Sequence, residues 1–336
     1  MEKLKFAVIG TGFWSTLQIP AWFDVGGVEL VALYNRTTEK AKNAAKKYGN
    51  PRVYEDPDEM FKKEKLDFVD IITEVPAHEK FVLMAAKYRV PVICQKPMSF
   101  SYKSCIKMYK ACRKAGIPFF VHENYRWMKP FRNLKKILEE DLIGKILYAE
   151  ISLTNGGELS FINQPFLGIL PHFIFMDMGP HIFDVSRFLF GEPKSVYARG
   201  MKAYDYIKGE NIMHSVLDFG DMACTANVRQ FLLDFAFIEG AKGSITLNLD
   251  NSIDIYSEKE KGKRRYDELD YPVWAEHVRG YVSPYEVHNI FDCNRSIYEA
   301  LISNKKPETD ASDNLKSMRI VFSAIESHLK NSVIKL

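Results

Sequence analysis

Short apolar runs recur along the first third of the chain, each followed by a stretch with helical spacing. The runs cover residues 5–9, 28–34, 66–73, 90–94 and 118–121, and the amphipathic stretches include 40–48, 81–88 and 101–115. Runs of this length, bounded by turn residues, read as buried strands, and the stretches between them as helices. Local signals agree. Asp56 precedes Pro57, Asp58 and Glu59, the pattern of an N-cap with proline and acids in the first turn, while Gly49 and Gly116 stop their helices. Strand and helix alternating to about residue 122 predict a right-handed, mostly parallel sheet with helices on both faces.

Beyond residue 123 the pattern changes. A helix over 130–142 ends at Gly144, and strands at 146–153, 195–200, 213–219 and 223–230 follow. They lie too close together for helical crossovers, so their sheet should be open and largely antiparallel. Residues 238–245 read as a strand–turn–strand corner and the charge run 258–265 as a solvated loop. Residues 286–302 and 313–329 read as closing helices whose apolar stripes belong to a core.

Composition narrows the partners. At 336 residues the chain can build two cores, and 46 basic against 43 acidic side chains leave a net charge of +3. That balance points to no nucleic acid and no polybasic membrane contact. Five cysteines, without a CxxC pair, favour reduced thiols over a disulfide framework or a zinc site. The N-terminus has no signal-peptide core, and no stretch matches a membrane span. A cytoplasmic protein is expected, with no metal.

Three places carry chemistry. The first strand runs straight into Gly10, Thr11, Gly12, Phe13, Trp14 and Ser15, and then into a helix. A strand, G-x-G-x-x-(small) and a helix form the dinucleotide fingerprint: Gly10 permits the tight turn and Gly12 lets a pyrophosphate approach the helix N-terminus. The second strand ends in Asn35, Arg36, Thr37 and Thr38 instead of the acid that would bind the ribose of NAD. Arginine pairs well with a 2′-phosphate, so NADP is preferred over NAD. Thr37 or Thr38 also fits a helix N-cap. Gln95, Lys96 and Pro97 follow the strand at 90–94, placing the Lys96 ammonium at the ligand-binding edge of the sheet. Pro76 and His78 end the preceding strand, and for His78 a capping role and a cofactor contact stand equally open. The third place is the segment 175–184. A helix beginning near Asp177 would set Asp177, His181 and Asp184 along one face, where an aspartate can orient a histidine general base. A cap for Asp177 and a satisfied, half-buried His181 remain the alternatives.

Taken together, these motifs resemble the glucose–fructose oxidoreductase / inositol dehydrogenase (Gfo/Idh/MocA) family. Pro76-Ala77-His78, Tyr125-Arg126, Gly144-Lys145-Ile146 and the turn from Gly240 to Gly243 add to the likeness, which spans nearly the whole chain. The resemblance implies an α/β fold with a Rossmann NAD(P)-binding domain over residues 1–123. A substrate-binding and oligomerisation α/β domain would occupy 124–336, with C-terminal helices able to pack back on the first. It further implies hydride transfer between nicotinamide and a carbinol or carbonyl carbon of a sugar, cyclitol or related molecule, in a homodimer or homotetramer. By position, Lys96, Asp177 and His181 match the family's catalytic residues. The cofactor set would be Gly10, Thr11, Gly12, Phe13, Trp14, Asn35, Arg36, Thr37, Thr38, Pro76, His78, Gln95 and Lys96, with Tyr125, Arg126, Trp127 and His172 toward substrate. Gln95 stands where relatives carry glutamate, and the bulky segment 170–176 replaces a glycine-rich approach. Phe161, Phe166, Trp127 and His172 could stack on a substrate ring, or simply pack. A glycoside hydrolase using transient oxidation and a non-catalytic NADP sensor are the rival classes.

Overall fold

A computed structural model describes the chain apart from residues 1, 155–160, 162–163, 230–233, 267–268, 280–281, 283 and 304. The chain forms two compact units. One comprises Met1–Asn124, Pro272–His277 and Ile290–Lys316, the other Tyr125–Tyr271, Val278–Asn289 and Ser317–Leu336.

The first unit is built on six strands: β1 (Leu4–Ile9), β2 (Val28–Tyr34), β3 (Arg52–Tyr54), β4 (Phe68–Ile71), β5 (Val92–Gln95) and β6 (Phe119–His122). They lie in the order β3-β2-β1-β4-β5-β6 and all pair in parallel. Helices α1 (Ser15–Val25), α2 (Thr38–Lys47), α3 (Pro57–Lys63), α4 (His78–Tyr88) and α5 (Tyr102–Ala115) connect them. The order reverses between β1 and β4, so strand carboxyl ends diverge there and leave a crevice, the usual ligand position in such sheets. Phe6 stacks on Phe68 with centroids 5.0 Å apart, and Trp22 lies 5.0 Å from Phe68, a fully buried aromatic knot. Asp56 caps α3 by accepting from the Asp58 N–H at 2.9 Å, with Pro57 in the first turn, as its sequence predicts.

The second unit follows α6 (Lys129–Glu139) and carries nine strands. They are β7 (Ile146–Thr154), β8 (Ser195–Met201), β9 (Ile212–Asp218), β10 (Ala223–Arg229), β11 (Phe235–Gly240), β12 (Gly243–Leu247), β13 (Ile253–Ser257), β14 (Lys261–Arg264) and β15 (Ile334–Lys335). The order is β14-β13-β12-β11-β7-β10-β9-β8-β15, antiparallel except for the parallel pair β7–β10. Gln230, expected to end the fourth of the anticipated strands, lies outside the described residues. Residues 258–265, expected as a loop, instead contain the edge strand β14. Its lysines hide the strand pattern from a reading of charge, yet they suit a free edge, where charge discourages further pairing. The final helices, α9 (Pro284–Ser303) and α10 (Ala311–Lys330), fall close to their expected bounds.

The segment expected to hold one helix from Asp177 holds two. Helix α7 (Phe173–Asp177) ends at Asp177, and α8 (Gly179–Phe190) starts afresh with Pro180 in its first turn. Proline has no N–H to return to the preceding turn, so the helix restarts around it. Asp177 thus ends one helix and His181 belongs to the next.

Candidate active site

In the first unit, β1 delivers the glycine loop. Gly10 has φ +104°, and a Cβ there would sit 2.4 Å from the Ile72 carbonyl oxygen, so only glycine fits. A Cβ on Gly12 would meet no protein atom within 4 Å; the space beside it opens outward. Ser15, third in the fingerprint, is buried and donates its hydroxyl to the Gly12 carbonyl at 2.6 Å, tightening the turn. The buried hydroxyls of Thr11 and Thr73, both beside this loop, have no hydrogen-bond partner among the described residues. Buried donors without partners are costly, and phosphate oxygens would satisfy them. The loop therefore fits a dinucleotide.

Asn35 has a role that the sequence did not reveal. Its Oδ1 accepts from the Thr11 N–H at 3.1 Å and its Nδ2 donates to the Thr37 carbonyl at 3.0 Å. The side chain ties the glycine loop to the end of β2. Thr37 occupies the N-cap position of α2 without making a side-chain cap bond, and Arg36 is exposed.

His78 turns inward. It is fully buried, with Nε2 3.0 Å from the Thr73 carbonyl and Nδ1 3.3 Å from that of Met98. Burial pushes its imidazole below the ordinary value. The ring pins two strand-end loops together and presents no surface to a cofactor. Pro76 remains exposed in the turn Val75–Ala77.

Lys96 is half-buried beyond β5, and the Lys96–Pro97 peptide is cis. Gln95 faces inward, donating to Gln18 Oε1 at 2.5 Å and accepting the Lys96 N–H at 3.1 Å. Gln18 in turn reaches Asp70, a buried acid on β4. Two polar residues inside apolar runs, Gln18 between Leu17 and Ile19 and Asp70 between Val69 and Ile71, were the available signal for this network.

In the second unit, the Tyr125 ring stacks on His181 with centroids 3.9 Å apart and 18° between planes. The Tyr125 hydroxyl donates to Glu286 Oε1 at 3.1 Å. Burial pushes the phenol well above its usual value, and the charges of Glu286, Asp234 and Asp177 add to that. Asp234 itself is pushed up to about 7, chiefly by burial, with Glu286 adding repulsion and the Thr154 N–H bond opposing it. An imidazole, a phenol and three carboxylates thus crowd one place, a set able to move a proton and to accept from several hydroxyls. Asp234 and Glu286 were not anticipated, because their partners are remote in sequence.

Arg126, expected toward substrate, pairs with an acid of α8. It is buried and forks onto Asp184, Nε at 2.7 Å and Nη2 at 2.6 Å, while the Ser317 hydroxyl bonds the same carboxylate at 2.9 Å. The pair holds the segment Tyr125–Trp127 against α8. Trp127 lies against the Arg132 guanidinium, 3.8 Å from the ring centroid. His172 sits before α7 with φ +52° and places Nδ1 3.3 Å from Glu210, outside good hydrogen-bond geometry. His172 also meets Phe175 edge-on, and Phe161 packs near Phe173, whereas Phe166 is exposed. All five cysteines are buried free thiols. Among the described residues there is no metal-binding cluster, and no helix is long and apolar enough to cross a membrane.

The comparisons with known proteins agree with this geometry. Residues 4–123 match the oxidoreductase family with an NAD-binding Rossmann fold, and residues 131–246 match the GFO/IDH/MocA C-terminal domain. D-apiose dehydrogenase of Paraburkholderia graminis is 30% identical over 100% of this chain and 90% of its own length. The enzyme of the same name from Rhizobium rhizogenes is 32% identical over 97% of this chain and 96% of its own. A crystal structure of an oxidoreductase from Agrobacterium radiobacter, in complex with NAD+, L-tartaric acid and magnesium, superposes with a TM-score of 0.91. It is 30% identical, with 99% of this chain and 98% of that one covered. Glycine loop, parallel sheet and matched sequence together make this chain a member of the Gfo/Idh/MocA oxidoreductase family, an NAD(P)-binding dehydrogenase or reductase that acts on CH–OH groups.

Proposed function

We propose that the chain interconverts a hydroxyl and a carbonyl on a small sugar or cyclitol, with NADP preferred. The observation that carries the substrate class is the Tyr125–His181 stack ringed by Glu286, Asp234 and Asp177. Carboxylates gathered about the Tyr125 phenol, beside an imidazole, suit a molecule with several hydroxyls, each a donor. The similarity to D-apiose dehydrogenases along the whole chain supports a sugar of pentose size.

The bound nicotinamide would supply or accept the hydride. His181 takes the hydroxyl proton during oxidation, its ring held flat by Tyr125 and its charge favoured by Asp177. Lys96 places an ammonium where alkoxide character develops. Thr11, Gly12 and Thr73 would hold the pyrophosphate. Asn35 has both ends of its amide engaged, so exposed Arg36 and the uncapped Thr37 are what remains for the ribose end, which supports a 2′-phosphate.

Oligomerisation through the second sheet belongs to the same reading. Tyr148, Tyr197 and Tyr256 stay partly or fully exposed at alternating strand positions, as a face awaiting a second copy would leave them. A panel of aldoses including D-apiose, cyclitols and small aldehydes, read at the nicotinamide absorbance, tests the function. Net NADP reduction or NADPH oxidation is expected with a polyhydroxyl compound. Glycoside cleavage without net turnover of nicotinamide would refute it in favour of a hydrolase.

A further inference from the structure

A buried acid sits in the first unit where none is needed for packing. Asp70 lies on β4 between Val69 and Ile71, fully inaccessible. Its Oδ1 and Oδ2 accept from Gln18 Nε2 at 2.9 and 2.8 Å, and Oδ2 also accepts from Trp22 Nε1 at 2.8 Å. Three donor contacts and no acceptor describe an ionised carboxylate, although burial pushes this group up to about 7. The Cys94 thiol on β5 is held neutral by burial, with the Asp70 charge adding to the effect, and so adds no second negative charge beside Asp70.

The directions of the next bonds then follow. With its amide N–H groups turned to Asp70, Gln18 can present only Oε1 to Gln95. Gln95 must answer with Nε2, at 2.5 Å, which leaves its own Oε1 for the Lys96 N–H at 3.1 Å. We propose that Asp70 is a positioning residue for Lys96, its charge fixing the polarity of a buried Asp70–Gln18–Gln95 chain that ends on the Lys96 backbone. The proposal rests on the role given to Lys96 above. Without the charge, both amides could reverse, and Gln95 would turn N–H groups toward the Lys96 N–H. A carboxylate at position 95 would conflict with Asp70 for the one Gln18 amide group.

A double-mutant cycle tests this, with kcat, KM, cofactor Kd and the unfolding midpoint read on the alkaline side of neutrality. Asp70→Asn and Gln95→Glu should each lower kcat by roughly tenfold, with cofactor Kd unchanged. The double variant should return to within about threefold of wild type. There the new amide at 70 feeds Gln18 Oε1, Gln18 feeds the new carboxylate at 95, and that carboxylate keeps the Lys96 N–H. Additive losses in the double variant, or wild-type kcat in Gln95→Glu, overturn the proposal. Should Asp70→Asn not fold, Gln95→Met leaves Asp70 and Gln18 paired and must itself lose about tenfold in kcat with Kd kept; wild-type kcat there overturns it too. Lys96→Ala is measured alongside. Retained turnover in that variant refutes the role of Lys96 itself, whereas lost turnover with an additive cycle refutes only the role of Asp70.

Discussion

Arg126 and Asp184 form a buried ion pair, with the Arg187 guanidinium 3.7 Å from the same carboxylate. Arg126→Ala would take the two shortest bonds from a buried carboxylate and leave it to Arg187 and Ser317, at a cost of about 3 kcal/mol. Denaturant unfolding checks this, and unchanged stability with lost activity would point instead to the substrate role expected for Arg126. Asp70 makes a prediction about pH. Its folded value is raised to about 7, so between roughly pH 4 and pH 7 the unfolded chain gives up a proton that the folded chain keeps. Stability contributed by this group therefore falls as pH rises through that window, by up to roughly 4 kcal/mol, and is level above it. Asp70→Asn should flatten the slope; an identical slope in the variant would show that the acid is not strained. Arg36→Ala should erase a several-fold preference for NADPH over NADH in a binding titration, and equal affinities in wild type would remove the basis for NADP. At this scale the sequence displayed residue types well and partners poorly. Gly10, Lys96 and His181 announce themselves by their neighbours along the chain, but the pairing of Arg126 with a carboxylate in α8, or of His78 with two carbonyls, depends on contacts that only folding creates.

Elements were more legible, because period and caps are local. The parallel strands of the first sheet and the cap at Asp56 follow from apolar runs and turn residues. Asp56→Ala should cost about 1 kcal/mol, read as a lowered unfolding midpoint, since the Asp58 N–H loses its acceptor; no change would mean that α3 is held by packing alone. Two elements misled for physical reasons. In β14, charge on an exposed edge looks like a loop. The break between α7 and α8 places Asp177 and His181 on different helices, a consequence of Pro180 that spacing by itself does not weigh.

For the molecule as a whole, the order of motifs carried more information than any one of them. The glycine loop after β1, the lysine after β5 and the histidine in α8 were enough to anticipate the fold and the reaction class. What the reading of the sequence missed was the second tier: Asn35 bracing the glycine loop, Asp70 behind Gln95 despite its place in an apolar run, and Glu286 and Asp234 around Tyr125. Each depends on residues far apart in the chain. Transfer of label is the most direct test of the central claim. A substrate found by the panel is deuterated at its carbinol carbon and incubated with oxidised cofactor, and the deuterium is located by mass spectrometry. The account predicts deuterium on the nicotinamide ring with wild-type protein. His181→Ala should slow its appearance by at least about a hundredfold while NADP still binds. Deuterium released to solvent, or arriving undiminished in His181→Ala, would contradict it.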